Sequence, residues 1–154
     1  MRLRIPPPLL MLFAASIMWA LNHWLPLGHW VPPPWNRVGA LPGAVGVAIV
    51  VAAFVRFRQA KTTTNPMDPS KASQLVTGGV FRFSRNPMYL GLLLLQIGWA
   101  LYLGSASVWV IPPLFVFVIT AAQILPEEQA LAQLFGEQYF AYRRRVARWL
   151  SRPR

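Results

Sequence analysis

Cysteine is absent, which excludes disulfides, thiolate metal sites and a cysteine nucleophile. Acidic residues are nearly absent too: Asp68, Glu127, Glu128 and Glu137 are the whole set in 154 residues. The two histidines, His23 and His29, stand among Trp24, Trp30 and Trp35. That company fits amphipathic rings at the level of lipid headgroups, and no metal site is expected. There is no Ser-His-Asp set, no phosphate-binding loop and no zinc spacing, so hydrolysis by those routes has no support. The formal net charge of +11 would suit nucleic acid. The basic residues instead flank apolar runs, so nucleic acid is not an expected partner.

What the chain does have is apolar length. It is 55% hydrophobic and 12% charged, a membrane-protein composition compatible with one domain. Apolar runs cover about 9–24, 38–57, 87–103 and 108–125, each long enough to cross a bilayer, with the first and third short. Pro6-Pro7-Pro8 suits the first turn of the first run. Met1-Arg2-Leu3-Arg4 before an apolar stretch has the look of a signal peptide. No clear small-residue cleavage site follows, and a mature anchoring helix is the expectation. Pro112-Pro113 predicts a kink in the fourth run.

Arg2 and Arg4, then Arg56, Arg58, Lys61, Lys71, Arg82 and Arg85, then Arg143, Arg144, Arg145, Arg148, Arg152 and Arg154 all fall on one side of this arrangement. Only Arg37 falls on the other. Positive charge is retained in the cytoplasm, so both termini and the middle loop are expected there. The expected fold is an all-α integral membrane protein with about four transmembrane helices and a C-terminal amphipathic, interfacial helix. It forms a single membrane domain, 1–154, with an N-terminal helix pair, 1–58, and a half carrying the chemistry, 59–154.

Gly104-Ser105-Ala106-Ser107 reads as a tight external turn between the last two runs. It makes them antiparallel neighbours and brings Glu127-Glu128 back to the depth of Arg85-Asn86-Pro87-Met88-Tyr89-Leu90-Gly91. Two adjacent carboxylates at a membrane boundary are a functional site by default. Asn86 before Pro87 predicts a helix cap followed by a first helical residue, leaving amide donors that favour an anionic group. Gly78-Gly79 allows a tight turn or close approach of backbone to a ligand. After Pro126, Leu131, Phe135, Tyr139, Tyr142, Val146 and Trp149 recur at helical steps, predicting an amphipathic helix whose aromatic face roofs a pocket and which Gly136 divides.

Leu75-Val76-Thr77-Gly78-Gly79-Val80-Phe81, the Arg85 to Gly91 tract, Glu127-Glu128, Phe135-Gly136-Glu137-Gln138-Tyr139 and Tyr142-Arg143-Arg144-Arg145-Val146 occur in that order. Together they resemble the isoprenylcysteine carboxyl methyltransferase superfamily, which includes small phospholipid N-methyltransferases; the likeness covers 65–149. It implies a membrane methyltransferase using S-adenosyl-L-methionine on a lipid or small amphiphile. Cofactor contacts are implied at Ser73, Gln74, Leu75, Val76, Phe81, Asn86, Pro87, Met88, Tyr89, Glu127 and Glu128. Tyr89, Glu128 and Arg85 become the candidate catalytic groups, and Gln123, Tyr139 and Tyr142 the candidate substrate contacts. A carboxylate nucleophile needs no base, whereas an amine must lose a proton, for which Glu128 or Tyr89 can serve. Asn86 stands where eukaryotic prenylcysteine enzymes usually have His, a replacement that resembles bacterial and phospholipid-methylating members; the expected location is a bacterial cytoplasmic (inner) membrane. Phe81 replaces a Tyr, and Gln123 stands where those enzymes present an Arg to the substrate carboxylate, which argues against a prenylcysteine. A nicotinamide-dependent membrane reductase of the sterol type and a non-catalytic lipid-binding subunit are the competing readings.

Overall fold

A computed structural model of the chain describes residues 5–60 and 74–151. Ser73 lies outside the described residues. Among those described, the structure is helical and holds no strand. The helices are α1 (Pro7–Trp24), α2 (Ala40–Gln59), α3 (Pro87–Leu103), α4 (Ile111–Ile119), α5 (Leu125–Phe135) and α6 (Glu137–Arg145). Short 3₁₀ turns, Trp35–Gly39 and Ala106–Val110, lead into α2 and α4.

Two continuous helical stretches are long and apolar enough to cross a membrane: Trp35–Gln59, 25 residues, and Ala106–Phe135, 30 residues. Their outer faces are apolar and bare. Leu41 is 66% exposed and Phe117 71%, as expected of surfaces that meet lipid rather than a water-soluble core. α3 is a shorter apolar helix of 17 residues.

α3 is the centre of the bundle. On one face Tyr89, Leu92 and Ala100 pack with Ala14 and Met18 of α1 and with Val108, Ile111, Phe115, Ile119 and Ile124 of the fourth stretch. On the opposite face α2 lies backbone against backbone. A methyl group added at Gly46 would sit 2.6 Å from the carbonyl oxygen of Gly91, and one at Gly91 would sit 2.7 Å from that of Gly46. Lipid tails are as apolar as leucine, so helices here associate through such close packing rather than through exclusion of water.

The turn at Gly104 forms as the sequence predicts, with Gly104 left-handed at φ 76° closing α3. It is tied to the first loop: Trp30 N donates to Gly104 O at 2.8 Å and Ala106 N to Gly28 O at 3.0 Å. Ser105 and Ser107 share a buried hydroxyl contact of 2.9 Å. Trp24, Trp30 and Trp35 project, exposed, at this end, and His23 stacks on Trp19 at 5.5 Å.

The fourth stretch departs from its sequence reading. The prolines at 112 and 113 fall in the first turn of α4, where no amide donor is lost. The disturbance comes later, as a π-helical turn over Thr120–Ile124, in which Leu125 N donates to Thr120 O. Pro126 follows at once. Proline inside a helix removes an amide donor and crowds the carbonyl four residues earlier, and a widened turn relieves that crowding. The helix therefore runs through Pro126 to Phe135 instead of breaking there. It ends at Gly136, φ 49°, which separates α5 from α6 as expected.

Candidate active site

Two side chains from opposite arms of the hairpin meet at the base of the bundle. Tyr89, in the first turn of α3, donates its hydroxyl to Oε1 of Glu127 in the first turn of α5, at 2.5 Å. The turn at Gly104 and the lengths of the two arms bring them together. Hydrogen bonds to a charged acceptor are short and strong, so this contact fixes the relative depth of α3 and α5.

Glu128 faces another way. Arg148 grips it side-on, Nε to Oε1 at 3.0 Å and Nη2 to Oε2 at 2.9 Å. Arg85 approaches from the other side, Nη1 to Oε1 at 3.2 Å, with the Arg85 and Glu128 side chains only 7% and 8% exposed. Arg85 Nη1 also donates to the Tyr139 hydroxyl at 3.0 Å. Both oxygens of Glu128 are thus taken by guanidinium donors. Its position is that of an anchor for the C-terminal segment.

That segment is the main feature sequence reasoning missed. Residues 146–151 lie along 83–86 as a strap. Arg85 N donates to Ala147 O at 3.1 Å and Ser151 N to Phe83 O at 2.7 Å. Ser84 Oγ and Asn86 Nδ2 both donate to Arg148 O, at 3.3 and 3.2 Å. Asn86 is the N-cap of α3 and Pro87 its first residue, as expected, but the Asn86 side chain makes no capping hydrogen bond; Ser84 Oγ accepts the Asn86 backbone amide, at 3.0 Å. Arg148 carried no local signal beyond its charge, since it lies past the end of α6 and twenty residues from its partner.

The remaining candidates gather in one apolar cluster. Leu75, Val76, Phe81 and Met88 pack with Tyr139, Tyr142 and Val146, and with Ala53 and Phe57 at the end of α2. Phe57 meets Phe81 edge-on at 5.1 Å. Tyr142 donates to the carbonyl of Phe81 at 2.7 Å, holding the short turn Gly79–Arg82 against α6. Burial raises the pKa of Tyr139 and Tyr142 above the ordinary 10.0, most in Tyr142, so both keep their hydroxyl proton at neutral pH. Pro87 is buried at the start of α3, and Gln74 is exposed beside Leu75. Gly79 is left-handed at φ 61°, and the group close to it is Arg56, whose Nε would lie 2.5 Å from an added methyl; the close approach is to this side chain. Gln123 is set apart from the cluster. It is buried in the π-helical turn and its Nε2 donates to Ile5 O at 2.9 Å, just before α1.

The sequence profile of the phospholipid methyltransferase family matches residues 35–138, two-thirds of the chain, and spans both motifs joined by the Tyr89–Glu127 contact. The chain belongs to this family. It is similar to protein-S-isoprenylcysteine O-methyltransferase A of Arabidopsis thaliana, 31% identical over 126 residues that make up 82% of this chain and 59% of that protein. It is also similar to the protein-S-isoprenylcysteine O-methyltransferase of Schizosaccharomyces pombe, 30% identical over 77 residues, 50% of this chain and 33% of that protein. An uncharacterized protein of Haemophilus influenzae is 43% identical over 63 residues, 41% of this chain and all of that protein. The chain thus spans less than two-thirds of the length of the named enzymes. No solved structure gives a significant match. Helix α1, Tyr139, Tyr142 and Arg148 lie outside the span that the family profile matches.

Proposed function

We propose that this family member is a membrane-embedded methyltransferase that uses S-adenosyl-L-methionine on a lipid or small amphiphile. The observation that carries the reading is the Tyr89–Glu127 hydrogen bond, which joins the Arg85 to Gly91 tract to the paired glutamates beside an aromatic cluster. The residues present fit the cofactor. Glu127 offers a carboxylate to ribose hydroxyls or to an ammonium group, and Leu75, Val76, Phe81 and Met88 offer apolar surface to a flat ring. Arg85 keeps a buried Nε with no partner among the described residues. When bound, the cofactor supplies a methyl group already activated on sulfonium sulfur; the protein's part is to align an acceptor and exclude water.

An amine acceptor has to release a proton. With Glu128 held by two arginines, the Tyr89–Glu127 pair is the better-placed acceptor for it. Gln123 supplies no cation on the membrane side, and a buried substrate carboxylate would be poorly compensated there. Incubating the purified protein with a lipid extract and labelled cofactor is expected to give a methylated amphiphile. Phosphatidylethanolamine is expected to turn over better than a farnesylcysteine analogue. Efficient methylation of the farnesylcysteine alone would refute the acceptor reading, and no labelled lipid at all would refute the activity.

The same reading has four helical crossings, α1, α2, α3 and the α4–α5 stretch, with both termini cytoplasmic in a bacterial inner membrane. The charge asymmetry of the loops supports it. Reporter fusions after Gly104 and after Arg154 are expected to report opposite sides. Finding both on one side would overturn this topology.

A further inference from the structure

Below the Tyr89–Glu127 contact, the apolar centre of the bundle holds polar groups that the proposed chemistry does not use. Gln96, midway along α3, has no exposed surface, and neither its Oε1 nor its Nε2 finds a partner among the described residues. Gln123 spends its Nε2 on Ile5 O, but its buried Oε1 has no partner. The buried Thr120 hydroxyl has none either. A leucine or methionine at position 96 would fill the same volume without the cost of an unpaired amide in hydrocarbon. Unpaired polar groups inside a membrane bundle mark ligand or transport paths.

Their placement is ordered. Gln96 follows Tyr89 by seven residues, two helical turns, so it lies on nearly the same face of α3 and about 10 Å further into the bundle. It sits one turn from Leu92 and one from Ala100, both part of the core shared with Met18, Phe115 and Ile119. Thr120 and Gln123 lie in the π-helical turn of the other arm, before Glu127 in the chain. Leu92 and Ala100 flank Gln96, Ile119 and Ile124 flank Thr120 and Gln123, and these four share one core, so the polar groups lie within that core on both arms of the hairpin, and none of the three carries charge.

We infer that Gln96, with Gln123 and Thr120, forms a subsite for the neutral hydrogen-bonding linkage between head group and chains of the amphiphile whose head lies at Tyr89–Glu127. The inference rests on the proposed methyltransferase reading. The unpaired atoms include one amide donor, two carbonyl acceptors and a hydroxyl that can act as either. A linkage that both donates and accepts, an amide or a hydroxyl, can pair with the donor and with an acceptor among them. An ester satisfies only the donors, and an ether bearing alkyl chains offers least.

Binding of three lipids with one head group tests this: ceramide phosphoethanolamine, diacyl phosphatidylethanolamine and its dialkyl ether analogue. Full-length protein in nanodiscs is titrated with each and bound lipid counted by native mass spectrometry, so that no turnover is needed. Ceramide phosphoethanolamine is expected to bind about tenfold more tightly than the dialkyl lipid, with the diacyl lipid between. Gln96→Leu is expected to erase that order while leaving cofactor affinity unchanged and the melting midpoint equal or higher. Equal binding of the three lipids to the wild type overturns the subsite without recourse to any variant. A lower midpoint for Gln96→Leu makes Gln96 a structural residue and also overturns it. If the order of binding appears but no lipid is methylated, the subsite stands and the proposed activity fails. If lipids are methylated with no regard to linkage, the subsite fails alone.

Discussion

Glu127→Gln is expected to weaken S-adenosyl-L-methionine binding by at least ~10-fold, the loss of a charge-assisted hydrogen bond of roughly 1.5–3 kcal/mol, while the protein stays folded. Glu128→Gln is expected to do the reverse. Glu128 is the anion between Arg85 and Arg148, and its removal leaves a guanidinium at position 85 that is only 7% exposed. Arg148 is partly exposed and can turn to solvent, but Arg85 cannot. Breaking a buried pair in this way costs about 3 kcal/mol or more, which lowers the melting midpoint by roughly 6–12 °C for a chain of this size. The strap at 146–151 should loosen with it, because Arg148 then keeps only its backbone contacts to Ser84 and Asn86. Calorimetric titration of the cofactor and a thermal melt in detergent separate the two variants. If Glu128→Gln loses binding at an unchanged midpoint while Glu127→Gln binds normally, the two roles are exchanged.

Which of the neighbouring glutamates meets Tyr89 and which meets the arginines was not legible in the sequence. That the pair returns to the depth of Tyr89 was legible, because Gly104 marks the turn and the apolar arms can be counted from it. Which carboxylate faces Tyr89 depends on rotation about the helix axis. The π-helical turn over Thr120–Ile124 adds a residue to one turn and so rotates everything after it by roughly 100° relative to an unbroken α-helix. Nothing in Thr120-Ala121-Ala122-Gln123-Ile124 announces that turn. Only Pro126, by its need for room, gives a reason for it afterwards.

Other contacts were not legible because the partner lies far along the chain. Asn86 before Pro87 has the chemistry of a cap, yet its amide is claimed by the carbonyl of Arg148, sixty-two residues on. Gly79 does require glycine, but the neighbour is Arg56 from the end of α2. The inward face of the C-terminal helices was read correctly, since Leu131, Phe135, Tyr139, Tyr142 and Val146 follow a helical period that Gly136 interrupts without reversing. Periodic burial is local information, whereas hydrogen-bond partners are not.

Gly46→Val and Gly91→Val are each expected to cost at least about 3 kcal/mol and to abolish cofactor binding with stability. The side chain added at Gly46 runs into the carbonyl oxygen of Gly91, and the one at Gly91 into the carbonyl oxygen of Gly46 and into Val50. A side chain can turn aside; two helical backbones in contact cannot, so the axes of α2 and α3 must separate. Separation reaches the candidate site directly. Ala53 and Phe57, further along α2, pack against Phe81 and Met88, so that displacing the helix opens the apolar cluster proposed to hold the cofactor. Gly43, on the same helix one turn before Gly46, provides the control: an added methyl there meets nothing within 4 Å. Gly43→Ala should melt with the wild type or slightly above it, because alanine costs less than glycine in a helix. Gly46→Val melting alongside Gly43→Ala would show that α2 and α3 are not held by direct backbone contact. The position of Phe57 beside the site would then need another cause.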